Sequence, residues 1–257
     1  MHAQGVITFL GTGTSQGVPI IGCTCDVCQS SNLRDKRLRS SIHIQTDRTS
    51  VVIDSGPDFR QQMLREQINR LDAIVFTHGH KDHTAGFDDI RAFNYIQKKD
   101  MEVYCDERVD SVLRKDYDYV FAAQKYPGVP QANLNIIENE SFRVNDLLFE
   151  PIETLHYKLP VFGFRIGDFT YITDANYISE AEKEKIKGSK TLVLNALRKE
   201  KHISHFTLEE AIELAQEIGA DKTYFTHISH QLGLHERVSK DLPDGIELAY
   251  DGLKISL

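Results

Sequence analysis

Thr77-His78-Gly79-His80-Lys81-Asp82-His83 places three imidazoles and a carboxylate within six positions. The stretch follows Ala73-Ile74-Val75-Phe76, an apolar run of buried-strand type, so its side chains leave the carboxyl end of a strand on a loop. Imidazole and carboxylate are good ligands for zinc, and a loop on a rigid strand can present several at once. Gly79 is expected to permit the tight turn between His78 and His80. A polar surface loop accounts poorly for four ligand types directly behind a buried strand.

Working outward, three more candidate ligands follow apolar runs in the same way. His156 comes after Leu147–Ile152, Asp174 ends Phe169–Thr173, and His227 ends Tyr224-Phe225-Thr226. A lone histidine near a strand end is usually structural; repetition after separate strands is what carries weight. Further strands are expected at Val6–Leu10, Ile42–Thr46, Ser50–Asp54, Met101–Cys105, Gly163–Ile166, Thr191–Leu194, Thr223–Thr226, Ile246–Tyr250 and Leu253–Ser256. Helices are expected at Asp58–Gln67, Phe87–Gln97, Glu107–Ala122 and Thr207–Ile218. The last has a Thr207/Glu210 capping box and stops at Gly219. This alternation implies helices packed on sheet, and β-rich stretches near both ends suggest two sheets. Periodicity alone does not separate a four-layer αββα sandwich from a doubly wound sheet.

The 257 residues fit one α/β domain, residues 1–257, with enough chain to bury a substantial core. No apolar run approaches the roughly 18 residues that cross a bilayer. Met1-His2-Ala3-Gln4 is short and polar for a signal peptide, so a cytoplasmic location is expected. The net charge of −8, with Lys and Arg scattered, disfavours a long nucleic-acid partner. A small anionic substrate stays compatible, because bound cations reverse the local charge of a site.

Cys23, Cys25 and Cys28 lie within six positions, and Cys105 stands apart inside a β-like run. In a reducing compartment such a cluster suggests metal binding rather than a disulfide. A closed zinc site needs four ligands, and His230 is a better fourth candidate than Cys105.

The His-x-His-x-Asp-His segment, with His156, Asp174 and His227 downstream and the Asp54-Ser55-Gly56 turn upstream, resembles the metallo-β-lactamase-fold superfamily. The resemblance covers nearly the whole chain and implies an α/β fold, the four-layer αββα sandwich, with metals at one edge between the sheets. It implies one metal on His78, His80 and His156 and another on Asp82, His83 and His227. Asp174 would bridge them, and Asp54 would support the site from behind. The Cys cluster and the preceding Gly11-Thr12-Gly13-Thr14-Ser15-Gln16-Gly17-Val18-Pro19 narrow the resemblance. They are similar to the cyclic phosphodiesterase family of phosphonate degradation, which carries a separate structural zinc on three Cys and one His. The glycine-rich segment lacks the Gly-Lys-Ser/Thr of a phosphate-binding loop and reads as a turn beside the metals.

His205-Phe206-Thr207 resembles the His-x-Thr of the superfamily's phosphodiesterase branch. A histidine before a helix N-terminus sits well near an anion and can protonate a leaving oxygen, although the helix end itself lowers its pKa. His202 is the rival for that role. Arg198 is a candidate phosphate contact or a solvated side chain; His43 reads as structural, and His2 and His235 carry no motif.

The resemblance implies a hydrolase of small or cyclic phosphodiesters acting through a hydroxide that bridges two metals, with His205, Asp82 and Asp174 in the chemistry. Imidazole-rich ligation favours zinc over manganese or iron at the paired site. A structural zinc is expected at the cysteines, and a homodimer is expected by analogy with the family. The alternatives are a thioesterase, lactonase or β-lactamase on the same fold, or a non-catalytic binding protein like the pyrroloquinoline quinone biosynthesis member.

Overall fold

In the computed structural model, which describes residues 5–257, the strands form two facing sheets. The first runs Lys254–Ser256, Gly5–Gly11, Ser41–Thr46, Ser50–Ile53, Ala73–Val75, Met101–Cys105 and Ala132–Ile136 across its width. The second runs Tyr177–Ile178, Leu147–His156, Leu159–Ile166, Phe169–Tyr171, Thr191–Asn195, Lys222–Thr226 and Ile246–Leu248, with Phe142–Val144 attached to Leu147–His156. Helices cover both outer faces, giving the four-layer αββα sandwich.

The two-residue period of each strand explains the layering. In the first sheet Val51, Ile53, Ala73 and Val75 point inward against Phe149, Phe164 and Tyr171 of the second. The intervening Val52 and Ile74 point outward onto Phe59, Met63, Phe87 and Phe93 of the covering helices. In the second sheet Val193 faces the first. Leu192, Leu194 and Phe225 face Ala211, Leu214, Ala215 and Ile218 of the helix Leu208–Ile218. These strands are buried on both faces, which is why they read as continuous apolar runs.

Parallel pairing brings the strand ends to one edge. Ile53 lies opposite Val75 in the first sheet, and Asn195 opposite Thr226 in the second. The segments that follow all emerge at this edge.

Several elements are shorter or more broken than the sequence predicts. The helix expected over Asp58–Gln67 is Phe59–Arg65, and Gln67 turns the chain at φ 55°. Phe87–Gln97 is a 3₁₀ turn, Phe87–Ile90, followed by the helix Arg91–Gln97. Glu107–Ala122 breaks at Tyr117 into Glu107–Asp116 and Asp118–Phe121. Tyr117 packs its ring 5.2 Å from that of Phe87 and donates its hydroxyl to the Thr84 carbonyl at 3.0 Å, a tertiary tie that overrides helical continuity. Ala132–Ile136, Phe142–Val144, Tyr177–Ile178 and His235–Lys240 are elements that the sequence pattern does not announce. Among the described residues no helix is long and apolar enough to cross a membrane. Met1–Gln4, including His2, lie outside the described residues.

Candidate metal centre and active site

The turns that deliver the site residues are conformationally demanding. Asp54, Asp174 and His227 take left-handed backbone angles, with φ of 65°, 56° and 54°. Such conformations in non-glycine residues persist where the surroundings over-determine them, and they concentrate at functional sites. Gly56 lets the Asp54 turn press against the ligand helix Lys81–Thr84, since a Cβ there would lie 2.1 Å from the Asp82 carbonyl oxygen. Gly79 does not have the role expected of it. It has no positive φ; a Cβ there would meet Val112 at 3.0 Å, so its value is closeness to the helix Glu107–Asp116.

The structure gathers the candidate ligands into two adjoining groups. His78, His80 and His156 form one, and Asp82, His83, Asp174 and His227 the other, the donor atoms of each lying within 4.8 Å of one another. His83 Nε2 is 3.2 Å from Asp82 Oδ2 and 3.3 Å from Asp174 Oδ1, while His227 Nδ1 is 2.9 Å from the same Asp174 oxygen. The other oxygen, Asp174 Oδ2, is 3.9 Å from His78 Nε2 and 3.4 Å from His205 Nε2. Ligands bound tetrahedrally at 2.0–2.1 Å stand roughly 3.3 Å apart. His78 Nε2, His83 Nε2 and His227 Nδ1 are buried and make no hydrogen bond despite these close approaches. Lone pairs converging without hydrogen-bond alignment fit a cation, and the donor set suits a divalent one.

The tautomers are fixed from behind. His83 Nδ1 donates to Asp54 Oδ2 at 2.7 Å, leaving Nε2 as the free acceptor. Thr77 donates its hydroxyl to the same Asp54 oxygen at 2.8 Å, so its own oxygen must accept from His78 Nδ1 at 3.0 Å. His156 Nδ1 donates to the Ser204 carbonyl at 2.8 Å. Ligand histidines held in this way present the remaining ring nitrogen to a metal.

Burial is the largest influence on His78 and holds its pKa well below the imidazole norm, with His83 adding to the effect. Burial also disfavours a charge on His83, but Asp174, Asp82 and Asp54 outweigh it and push its pKa well up. Burial opposes ionisation of Asp174, yet His227 and His83 hold its carboxyl well below the usual range. Asp174 therefore stays ionised, and a cation would take the place that a proton on His83 fills.

A second donor set lies apart. Cys23, Cys25 and Cys28 Sγ stand 3.4, 3.3 and 3.6 Å from His230 Nδ1. A tetrahedron with ~2.3 Å sulfur bonds and ~2.05 Å nitrogen bonds has a sulfur–nitrogen edge of roughly 3.6 Å. The Cys28 amide hydrogen bonded to Cys25, with His230 beside it, lowers the Cys25 thiol to about 6, whereas burial pushes Cys28 up to about 11. Cys105 is fully buried elsewhere, and burial pushes it up to about 12. The glycine-rich segment does pack beside the site: Gly13 bridges Arg39 and Ile228, the residue after His227.

His205 is buried, its ring stacked 4.8 Å from that of His227 and edge-on 4.5 Å from that of His156. Burial, with His227 adding to it and Asp174 opposing it, lowers its pKa to about 4. Thr207 caps the following helix reciprocally with Glu210. His202 lies further out, meeting His205 Nδ1 to Nδ1 at 3.2 Å. Arg198 is committed to protein contacts, donating to the Glu200 and Lys201 carbonyls and to Gln231 Oε1, which ties down the loop carrying His205.

Two positioning residues escaped the sequence reading. Asn195 is fully buried and exchanges hydrogen bonds with the backbone of Ala175, at 2.8 Å and 2.9 Å, fixing the turn after Asp174. Asn176 accepts from the Tyr157 amide at 2.6 Å, fixing the turn after His156. A polar residue ending the apolar run Thr191–Asn195 was the available signal for the first.

Residues 49–228 match the beta-lactamase superfamily domain. Over its full length the chain superposes on the crystal structure of a diphosphatase from the PhnP family, covering 98% of that chain, with a TM-score of 0.94 and 41% identity. Zinc-bound PqqB from Methylobacterium extorquens shares the fold at a TM-score of 0.77 and 21% identity, over 98% of this chain and all of that one. An octanoyltransferase from Porphyromonas gingivalis is 40% identical over 96% of the chain, which spans only 50% of that protein's length. With this match running through the ligand-bearing turns, the chain belongs to the beta-lactamase superfamily, has the metallo-β-lactamase fold and resembles the PhnP family.

Proposed function

We propose that the protein hydrolyses small phosphodiesters, cyclic ones included, at a paired metal centre. In this reading His78, His80 and His156 hold one divalent ion, Asp82, His83 and His227 hold the other, and Asp174 spans them. The observation that carries it is the division of Asp174, with Oδ1 toward His83 and His227 and Oδ2 toward His78 and His205. Zinc suits the imidazole-rich donors, with manganese or iron as alternatives. Cys23, Cys25, Cys28 and His230 hold a structural zinc with no open position.

Two divalent ions would supply Lewis-acid activation of water and offset phosphoryl charge, leaving a local balance of about +2 over Asp82 and Asp174. The chain supplies the rest. Asp54 holds His83 directly and His78 through Thr77. His205 Nε2, on the Oδ2 side of Asp174, donates the proton to the leaving oxygen once an anionic occupant has raised its pKa.

A second reading is favoured by the 41% identity to a diphosphatase. A diphosphate substituted at both ends is doubly substituted at each phosphorus, so the same site can attack it. Octanoyl transfer is assigned to no residue here, since the relative of that name is twice as long as the match.

A panel of metal-loaded reactions tests the proposal: ribose cyclic phosphates, cyclic nucleotides, linear diesters and substituted diphosphates beside lactam, lactone and octanoyl thioester controls. Turnover of a phosphorus substrate at least 100-fold above the controls is expected. Preference for a carbonyl substrate overturns the assignment.

A further inference from the structure

Beside the metal centre lies an open cleft of about 500 Å³, lined by His80, His156, Tyr157, Lys158, Leu159, Ile203 and Ser204. Two of its walls, His80 and His156, are candidate ligands, so whatever enters it touches the centre. Its opposite flanks are apolar and uncovered. The Tyr157 side chain is on a residue 48% exposed and Ile203 is 65% exposed.

Tyr157 is an unusual residue for its position. His156 pairs with Leu159, so Tyr157-Lys158 is the two-residue tip of the hairpin. Tyr157 takes φ of 59° there, a conformation that such tips normally give to glycine or asparagine. A large aromatic residue is nevertheless held in place, its amide bound to Asn176 only two residues beyond Asp174. Lys158 Nζ lies over one face of the ring, 5.3 Å from its centroid, leaving the other face for a ligand. The facing loop is equally fixed, because Arg198 closes it onto Lys201 and Gln231. Two rigid turns thus hold an aromatic face and a branched aliphatic side chain toward solvent beside the ligands.

Resting on the phosphodiester reading, we propose that this cleft is a specificity subsite for a planar organic group carried on the phosphoester, a nucleobase or similar ring. The ring stacks on Tyr157 with Ile203 against its other side. Stacking on an exposed tyrosine tolerates different bases, and its loss weakens binding by about tenfold or more.

The test uses two methyl phosphodiesters with the same reacting bonds, one on the 5′ oxygen of thymidine and one on its abasic deoxyribose counterpart. The base-bearing diester is expected to show about tenfold higher kcat/KM, the difference lying in KM. Tyr157→Gly keeps a left-handed tip and removes the ring; it should erase that difference, while Tyr157→Phe keeps it and Ile203→Ser reduces it. Equal kcat/KM for the two diesters overturns the subsite and leaves the hydrolase reading standing. An equal loss on both diesters in Tyr157→Gly overturns it too, by showing that Tyr157 acts only through the His156 turn. If neither diester turns over, the wider panel of cyclic esters and diphosphates decides the hydrolase reading. Calorimetric titration of metal-loaded protein with thymidine 5′-monophosphate then decides the subsite alone: weaker binding to Tyr157→Gly supports it, and unchanged binding overturns it.

Discussion

His83 Nδ1 lies 2.7 Å from Asp54 Oδ2, and neither side chain has any solvent exposure. Through Thr77 the same carboxylate oxygen also sets His78, so one residue orients a ligand in each donor group. Asp54→Asn places an amide where an acceptor is needed. Affinity for the catalytic metals is expected to fall roughly 10–100-fold. Metal-buffered titrations followed by elemental analysis check this, and Asp54→Asn protein with unchanged affinity at both positions refutes the arrangement.

His205→Ala should lower kcat by roughly 10²–10⁴-fold on a diester with a poor leaving group, with metal content unchanged. A nitrophenyl diester, whose leaving group needs no proton, should lose much less. The pKa of about 4 in the free protein means that His205 is neutral at pH 7 until substrate binds. The alkaline limb of kcat, measured with saturating substrate, should therefore vanish in His205→Ala. Equal losses on the two substrates would show a purely structural role.

Cys25→Ser should release about one metal per chain and lower Tm, because binding free energy at a closed zinc site is folding free energy. His230 is three residues from His227, so activity should fall in part and excess zinc should restore some of it. Cys105→Ser should leave metal content as it was. Full metal content in Cys25→Ser would contradict the closed site.

His43 contributes to the pH dependence of stability, as does His235, which is lowered to about 4 as well. Burial lowers the His43 pKa to about 4 from an ordinary value of 6.5, and its Nε2 meets Ser50 Oγ at 2.8 Å. The unfolded chain binds the proton first, so this contribution is complete above about pH 6.5 and is lost as pH falls toward 4. The full effect is up to roughly 3 kcal/mol. Urea unfolding at pH 7 and pH 4.5 should show a smaller change for His43→Gln than for wild type. Metal loss is common to both proteins, and identical slopes would exclude the histidine.

Much of the site was legible because its chemistry is local. Thr77–His83 sits in one loop, and Asp54, Asp174 and His227 each end an apolar run whose buried character is plain in the sequence. The sandwich itself came from the motif, since periodicity alone was ambiguous between two architectures. What stayed hidden depends on tertiary contact. Gly79 looked like a turn residue and proved to be a close approach to Val112. Tyr117 broke a helix through a contact with Thr84, far away in sequence. Asn195, Asn176 and Tyr157 act by facing other turns, and no spacing rule records that. Arg198 could be placed only once its partners were visible.

The distance along the chain between the two halves of the centre sets an order of assembly. His78, His80, Asp82 and His83 are synthesised well before His156 and Asp174, and His227 and His230 later still. The His78, His80 and His156 group has all its members once residue 156 is made, but the Asp82 group and the cysteine group wait for His227 and His230, and so for Lys222–Thr226 to pair beside Thr191–Asn195. A nascent chain can collapse its first sheet early, yet it carries an open, half-built ligand cluster throughout most of translation. Completion of the Asp82 group and of the cysteine group is therefore tied to closure of the second sheet.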